Sequence, residues 1–177
     1  MTGRNSRALT LGVYPTARGF GWAAFENPFT VYQHGVYSPR RHKNALCLRK
    51  LEWLIDRLQP EELVLEAFDS QSSIRSTRIR RLCQSLVPLA ASRTIDVAIY
   101  KRSQVQATFR DVGARTRYEI AEAVARHVSA LAPHLPAPRK IWTGEHRRLS
   151  VFNAAALVLT HYQNGAAAFL QELKDAA

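Results

Sequence analysis

Three short apolar segments follow one another at the start of the chain, with only tight turns between them. They cover residues 8–14, 20–25 and 29–37, and Pro15 closes the first. Apolar runs of this length between turn residues are typical of β-strands. Because such short connections join antiparallel neighbours, the sequence predicts a β-meander, and this constrains the fold more than any other feature.

Beyond these segments, strand-like and helical patterns alternate. Leu51, Leu54 and Leu58 recur at helical spacing and predict a helix over residues 45–58. Similar patterns predict strands over residues 62–67 and 96–100 and helices over residues 74–91, 103–109, 117–131 and 144–162, with residues 166–173 extending or following the last. An antiparallel meander followed by β-α-β-α-β alternation predicts an α/β fold, in which helices flank one mixed five-stranded sheet.

The chain has 177 residues, a length that predicts one domain with its own core. We expect that domain over residues 8–164, between a disordered basic N-terminus (residues 1–7) and a C-terminal helical tail (residues 165–177). No apolar run reaches the roughly 18 residues that a membrane-spanning helix needs. Cys47 and Cys83 lack the spacing of a metal motif and predict buried thiols in a reducing, cytoplasmic compartment.

The chain is strongly basic, with 25 Lys and Arg against 14 Asp and Glu and a formal net charge of +11. Such an excess favours a polyanionic partner, which we expect to be nucleic acid rather than a membrane surface. Only Lys43, Lys50, Lys101, Lys140 and Lys174 are lysines. Arginine pairs with phosphate through two parallel hydrogen bonds, although a GC-rich genome would also raise the share of arginine.

Three segments together resemble RuvC-type Holliday junction resolvases of the RNase H-like superfamily. Residues 11–22 (Leu-Gly-Val-Tyr-Pro-Thr-Ala-Arg-Gly-Phe-Gly-Trp) resemble the family's first strand and turn. Residues 63–66 (Leu-Val-Leu-Glu) resemble the strand that ends in its catalytic glutamate, and residues 151–161 resemble its last helix. The resemblance implies an RNase H-like fold, a homodimer, branched DNA as partner, and Mg²⁺ or Mn²⁺ as cofactor if the protein is active.

The sequence departs from the family at the residues that would hold metal. Tyr14 and Asn153 occupy the positions of two family aspartates, and Glu66 alone matches. Two divalent cations that clamp a phosphodiester need several carboxylates, because ligand charge sets their affinity. A phenol, with a pKa near 10, is a poor ligand for magnesium at neutral pH. The resemblance therefore implies a degenerate metal site.

Two other carboxylates offer an alternative centre. Asp69 lies three residues after Glu66, and Glu145 lies two turns before Asn153, where the chain enters the last helix. Glu66, Asp69 and Glu145 could form a rearranged catalytic set, with Glu66 and Glu145 as metal ligands. The ordinary roles of Asp69 and Glu145 are a loop or capping residue and a favourable charge in the first turn of a helix.

A second group of residues predicts contacts with nucleic acid. Arg75, Arg78 and Arg81 would share one face of the predicted helix. The sequence has no Asp or Glu between residues 69 and 96 that could pair with them. The full expected set is Phe68, Arg75, Arg78, Arg80, Arg81, Lys101 and Arg102. Phe68 is either a stacking platform for a splayed base or a core aromatic.

These patterns predict a RuvC-like protein that binds branched or structured DNA, with weak or no nuclease activity. One alternative is an active structure-selective endodeoxyribonuclease that depends on Mg²⁺ or Mn²⁺ and uses the rearranged carboxylates. Another is a subunit that uses the same fold to bind RNA or to join a protein complex.

Overall fold

The structure is a computed structural model that describes residues 8–67, 77–140 and 143–175. Within these ranges, five strands form one mixed sheet in the order β3-β2-β1-β4-β5. The strands are β1 Thr10–Pro15, β2 Phe20–Asn27, β3 Thr30–Tyr37, β4 Glu62–Glu66 and β5 Asp96–Tyr100. β1, β2 and β3 are antiparallel neighbours, whereas β4 is parallel to both β1 and β5. The predicted meander and mixed sheet are confirmed.

Helices cover both faces of the sheet. They are α1 Lys43–Leu58, α2 Thr77–Ala91, α3 Arg102–Phe109, α4 Arg117–His127 and α5 Leu149–Asp175, with 3₁₀ turns at Arg110–Val112 and Ser129–His134. The helix expected over residues 117–131 is shorter than predicted, because a 3₁₀ turn follows it. The last helix begins at Leu149 rather than at residue 144 and runs without a break into the expected tail. No helix in the described ranges is both long and apolar enough to cross a bilayer.

Alternating side chains on the strands build two separate cores. Leu11, Val13 and Leu65 join the cluster that contains the buried residues of α1 together with Leu82 and Leu86 of α2. Tyr14 and Val64 join the opposite cluster, formed with α3, α4 and α5. Because successive strand residues point to opposite faces, Glu66 shares the face of Val64, which is the side of α5.

α5 lies directly against the backbone of β1 and β2. A Cβ atom added to Gly12 would lie 2.4 Å from the Ala154 carbonyl oxygen, and one added to Gly21 would lie 2.3 Å from Ser150 Oγ. These distances are too short for any side chain. Glycine at these two positions therefore lets the start of α5 approach the sheet.

We predict that Gly12→Ala destabilises the protein by about 2–3 kcal/mol, because the added methyl group meets a backbone carbonyl that cannot move away. Gly165 is the matched control, since it is exposed on α5 and nothing lies within 4 Å of its added Cβ. Gly165→Ala should stabilise by about 0.5–1 kcal/mol through helix propensity alone. Urea unfolding measures both, and equal effects would contradict this packing.

Candidate nucleic-acid interface

The carboxyl ends of β1 and β4 bring together Tyr14 and Glu66. Val13 pairs with Leu65 in the parallel ladder, so the next residues along each strand, Tyr14 and Glu66, stand side by side. Both are buried, with exposed fractions of 4% and 8%. A carboxylate at this depth is stable only with charged or hydrogen-bonding neighbours. This end of the sheet is therefore a polar centre.

Asn153 lies near the start of α5 and on its buried side. One turn earlier, Ser150 lies against Gly21, which pairs with Tyr14 across the antiparallel ladder. Asn153 is 4% exposed, and its Nδ2 has no hydrogen-bond partner among the described residues. A buried amide without a partner costs about 1–3 kcal/mol. Asn153 thus lies near the same end of the sheet as Tyr14, but it brings no charge.

Two arginines reach this centre from neighbouring helices. Arg102 is the first residue of α3 and Arg117 the first of α4. Arg117 Nη1 lies 3.7 Å from Glu145 Oε2, and its Cζ lies 5.9 Å from the centre of the Tyr14 ring. Burial lowers the pKa of Arg102 and the charge of Arg117 lowers it further, whereas Glu66, Tyr14 and Glu145 raise it. Two guanidiniums therefore share this centre with two carboxylates.

The described residues do not fit a two-metal centre. Within residues 8–67, 77–140 and 143–175, no group of three or more His, Cys, Asp or Glu side chains is placed to hold a metal ion. The two expected ligands, Glu66 and Glu145, both act on Arg102, and Glu145 also pairs with Arg117. A divalent cation placed beside them would be repelled by both guanidiniums. Asp69 lies outside the described residues.

Three adjoining cavities open around the loop that precedes α5. Their volumes are about 330, 610 and 460 Å³, and His146 lines all three. Five arginines line them and define what we call the basic groove: Arg18, Arg117, Arg139, Arg147 and Arg148. Glu145 is the only acid among the described residues in their walls. The groove therefore presents a continuous cationic surface beside the sheet end.

Arg78, expected as a DNA contact, makes hydrogen bonds inside the protein. Its Nη1 donates to Asn44 Oδ1 at 3.0 Å, and its Nη2 donates to the Thr16 carbonyl oxygen. In return, Asn44 Nδ2 donates to the Arg78 carbonyl oxygen at 3.1 Å. Arg78 thus ties α2 to α1 and to the β1–β2 turn. Replacing it would disturb the fold as well as any DNA contact.

The other expected contacts are distributed unevenly. Arg81 and Lys101 are exposed, whereas Arg80 and Arg102 are half-buried. Phe68 and Arg75 lie outside the described residues. Few acids lie near α2 in the sequence, which suggests that the arginines there lack acidic partners. Arg93, which follows that helix, nevertheless pairs with Glu52 and Asp56 of α1 at 3.0 and 2.5 Å.

Sequence reasoning missed Arg117 as a member of the centre and Arg18 as part of the groove. A signal for Arg117 was present in the sequence, because it follows a capping Thr116 with Glu119 three residues further on. Thr116 Oγ1 accepts a hydrogen bond from Glu119 N at 3.2 Å, so Arg117 begins the helix. Arg18 carried no such signal, since its role depends on the later loop of residues 145–148.

Comparison with solved structures finds the same fold in Holliday junction resolvases. A Thermus thermophilus RuvC in complex with a Holliday junction is 16% identical, with a TM-score of 0.60 over 86% of this chain and 91% of that chain. Thermus thermophilus RuvC in another structure gives 0.62 at 16% identity, over 86% and 92%. The yeast mitochondrial Holliday junction resolvase gives 0.57 at 12% identity, over 90% and 83%.

These comparisons confirm the fold predicted from the sequence, a RuvC-like member of the RNase H-like folds. No protein-family model matches the sequence, and no curated protein matches it. The resemblance is thus carried by the arrangement of strands and helices.

Of the two cysteines predicted to be buried, Cys47 is buried and Cys83 is only half-buried. Burial raises the pKa of the Cys83 thiol to about 12, and the charge of Glu66 contributes in the same direction. Burial also raises the pKa of Cys47. Because the thiolate is the reactive form, we predict that neither thiol reacts with a disulfide reagent at pH 8 within minutes, and that both react in urea. Rapid reaction of the folded protein would contradict this burial.

Proposed function

We propose that this protein binds branched or structured DNA through the basic groove and cuts it weakly or not at all. The single observation that carries the proposal is the set of charged side chains at the carboxyl ends of β1 and β4. At the point where a resolvase needs a cluster of carboxylates, this chain has Arg102 under the influence of Glu66 and Glu145, and Arg117 beside Glu145. Such a centre suits binding of a phosphate backbone better than metal-assisted hydrolysis.

The charge of the whole molecule supports a nucleic acid as the partner. The formal net charge is +11, and exposed Arg18, Arg139, Arg147 and Arg148 lie along one groove. Guanidinium groups bind phosphate oxygens in pairs and release counterions when they do so. The groove therefore favours a ligand with a row of phosphates over a single small anion.

The fold favours branched DNA over a plain duplex. One structural neighbour is described in complex with a Holliday junction, and another is a mitochondrial Holliday junction resolvase. A junction presents equivalent arms, which two copies of one chain could bind in the same way. We therefore propose a homodimer on a junction, in the cytoplasm, where the free thiols of Cys47 and Cys83 stay reduced.

The purified protein should retard a labelled four-way junction more than the matched duplex in Mn²⁺, and a denaturing gel should show intact strands. The physical reason is a groove that binds phosphate without the carboxylates that would hold two metals. Symmetric cuts that disappear in Glu66→Gln would contradict the proposal and favour a rearranged metal site. Binding of structured RNA but not of the junction would favour an RNA partner.

A salt titration tests the groove directly. We expect Arg147→Ala with Arg148→Ala to weaken junction binding and to reduce the slope of log K against log salt by about 0.9 for each phosphate that is no longer neutralised. The matched control is Arg49→Ala with Arg57→Ala, since both arginines are exposed on α1 at the opposite face of the sheet. Equal slopes in the two double variants would place the DNA elsewhere.

A further inference from the structure

Among the described residues, two carboxylates and two guanidiniums meet at the sheet end. The carboxylates are Glu66 and Glu145, and the guanidiniums are Arg102 and Arg117. The charges of Glu66, Glu145 and Arg117 all act on Arg102, and Arg117 Nη1 lies 3.7 Å from Glu145 Oε2. Arg18 and Arg147 line the adjoining cavity and add two further positive charges. The surplus is therefore positive and attracts an anion.

Both arginines are held by structured helix starts. At α4, Glu119 Oε2 accepts hydrogen bonds from Arg115 N and Thr116 N, each at 2.8 Å. At α3, Gln104 Oε1 accepts a hydrogen bond from Lys101 N at 2.7 Å. These contacts fix the backbone next to Arg102 and Arg117. Since the positive ends of the helix dipoles lie at the same places, they reinforce the attraction for an anion.

The ion pair between Arg117 and Glu145 is loose enough to be displaced. Its atoms are 3.7 Å apart, and the side chains are 30% and 38% exposed. Partly exposed ion pairs of this kind contribute little to stability. A phosphodiester can offer Arg117 two oxygens at hydrogen-bonding distance, which is the stronger arrangement. Glu145 therefore competes with an incoming phosphate for the same guanidinium.

There is room for that phosphate. The cavity lined by Tyr14, Glu145 and Ser150 has a volume of about 330 Å³. Ligand pockets have volumes of about 300–1,000 Å³, so this cavity suits a small group. It shares Glu145 and His146 with the 460 Å³ cavity that Arg117 lines. Glu145 thus lines both the small cavity and the cavity that Arg117 lines.

We propose that Arg117 takes the place that the resemblance gives to metal ions, and that it binds one backbone phosphodiester directly, in competition with Glu145. The inference rests on the proposed function, since it names the group that the sheet end takes from nucleic acid. Binding at this point is independent of divalent cations. The Glu145 carboxylate lowers the affinity of this site for phosphate and does not serve as a metal ligand.

Glu145→Gln separates this inference from a metal site. With EDTA present, Glu145→Gln should bind the junction more tightly than the unaltered protein, because the competing carboxylate charge is gone. A metal ligand would behave in the opposite way, since its removal would weaken binding in Mg²⁺ and would change nothing in EDTA. Either of those results would overturn the inference.

Arg117 supplies the complementary variants. Arg117→Gln should weaken junction binding in EDTA and reduce the salt slope by about one. Arg117→Lys should keep the charge and recover only part of the affinity, because lysine lacks the two-pronged geometry. Arg110→Gln is the matched control, since Arg110 is exposed and lines none of the three cavities. Equal effects of Arg110→Gln and Arg117→Gln would contradict the assignment.

Inorganic phosphate provides a readout that does not involve DNA. In EDTA, phosphate should raise the unfolding temperature of the unaltered protein and of Arg110→Gln, but not of Arg117→Gln. If phosphate stabilises the protein but the junction does not bind, the phosphate site is supported and the proposed function is overturned. Junction binding that requires Mg²⁺ would overturn the site and leave the function standing. The unfolding curve of each variant without phosphate shows whether it folds.

Discussion

The close contact between α5 and the first two strands determines where every other part of the centre lies. Gly12 and Gly21 leave no space between the sheet and the helix, so Ala154 and Ser150 rest on the strand backbones. This contact sets the position of Asn153, and it sets the end of the loop that carries Glu145, Arg147 and Arg148. A side chain on either glycine would move these groups away from Tyr14 and Glu66.

The chemistry of the centre follows from which charges that contact brings together. In a two-metal nuclease, carboxylates at the strand ends are neutralised by cations from solution. Here Tyr14 and Asn153 bring no carboxylate, and the charge of buried Glu66 acts on Arg102 of α3, while Arg117 of α4 lies beside Glu145. A buried carboxylate without a cation would be costly, so its partners are part of the fold. The protein thus has its counter-charges built in.

The sequence predicted the sheet because strand patterns and turns are local properties. The meander, the position of Glu66 at the end of β4, and the place of Asn153 near the start of the last helix all rest on such patterns. The final helix was predicted to begin at residue 144, but it begins at Leu149. Nothing in the local sequence of residues 144–148 distinguishes a loop from the first turn of a helix. The end of α4 at His127 was not predicted either, because the apolar spacing of that helix continues into the 3₁₀ turn that follows.

The charges were harder to predict, because partners of arginine come from distant segments. Arg78 binds Asn44 and Thr16, and Arg93 binds acids of α1. Neither pairing follows from local spacing. Arg117 was visible as the first residue of a capped helix, but its neighbours Tyr14 and Glu145 lie far away in sequence. The packed structure places Tyr14 of the sheet end in the wall of a cavity that Arg18 and Arg147 also line.

The most direct test of Arg117 in place of metal ions is a crystal of the protein soaked separately in tungstate and in Mn²⁺, each located by its anomalous scattering. Tungstate stands in for a phosphate group and manganese for the divalent cations of related nucleases. We expect a tungstate peak within hydrogen-bonding distance of Arg117, and no manganese peak at Glu66. A manganese ion held by Glu66 and Glu145, with tungstate absent from Arg117, would contradict this assignment.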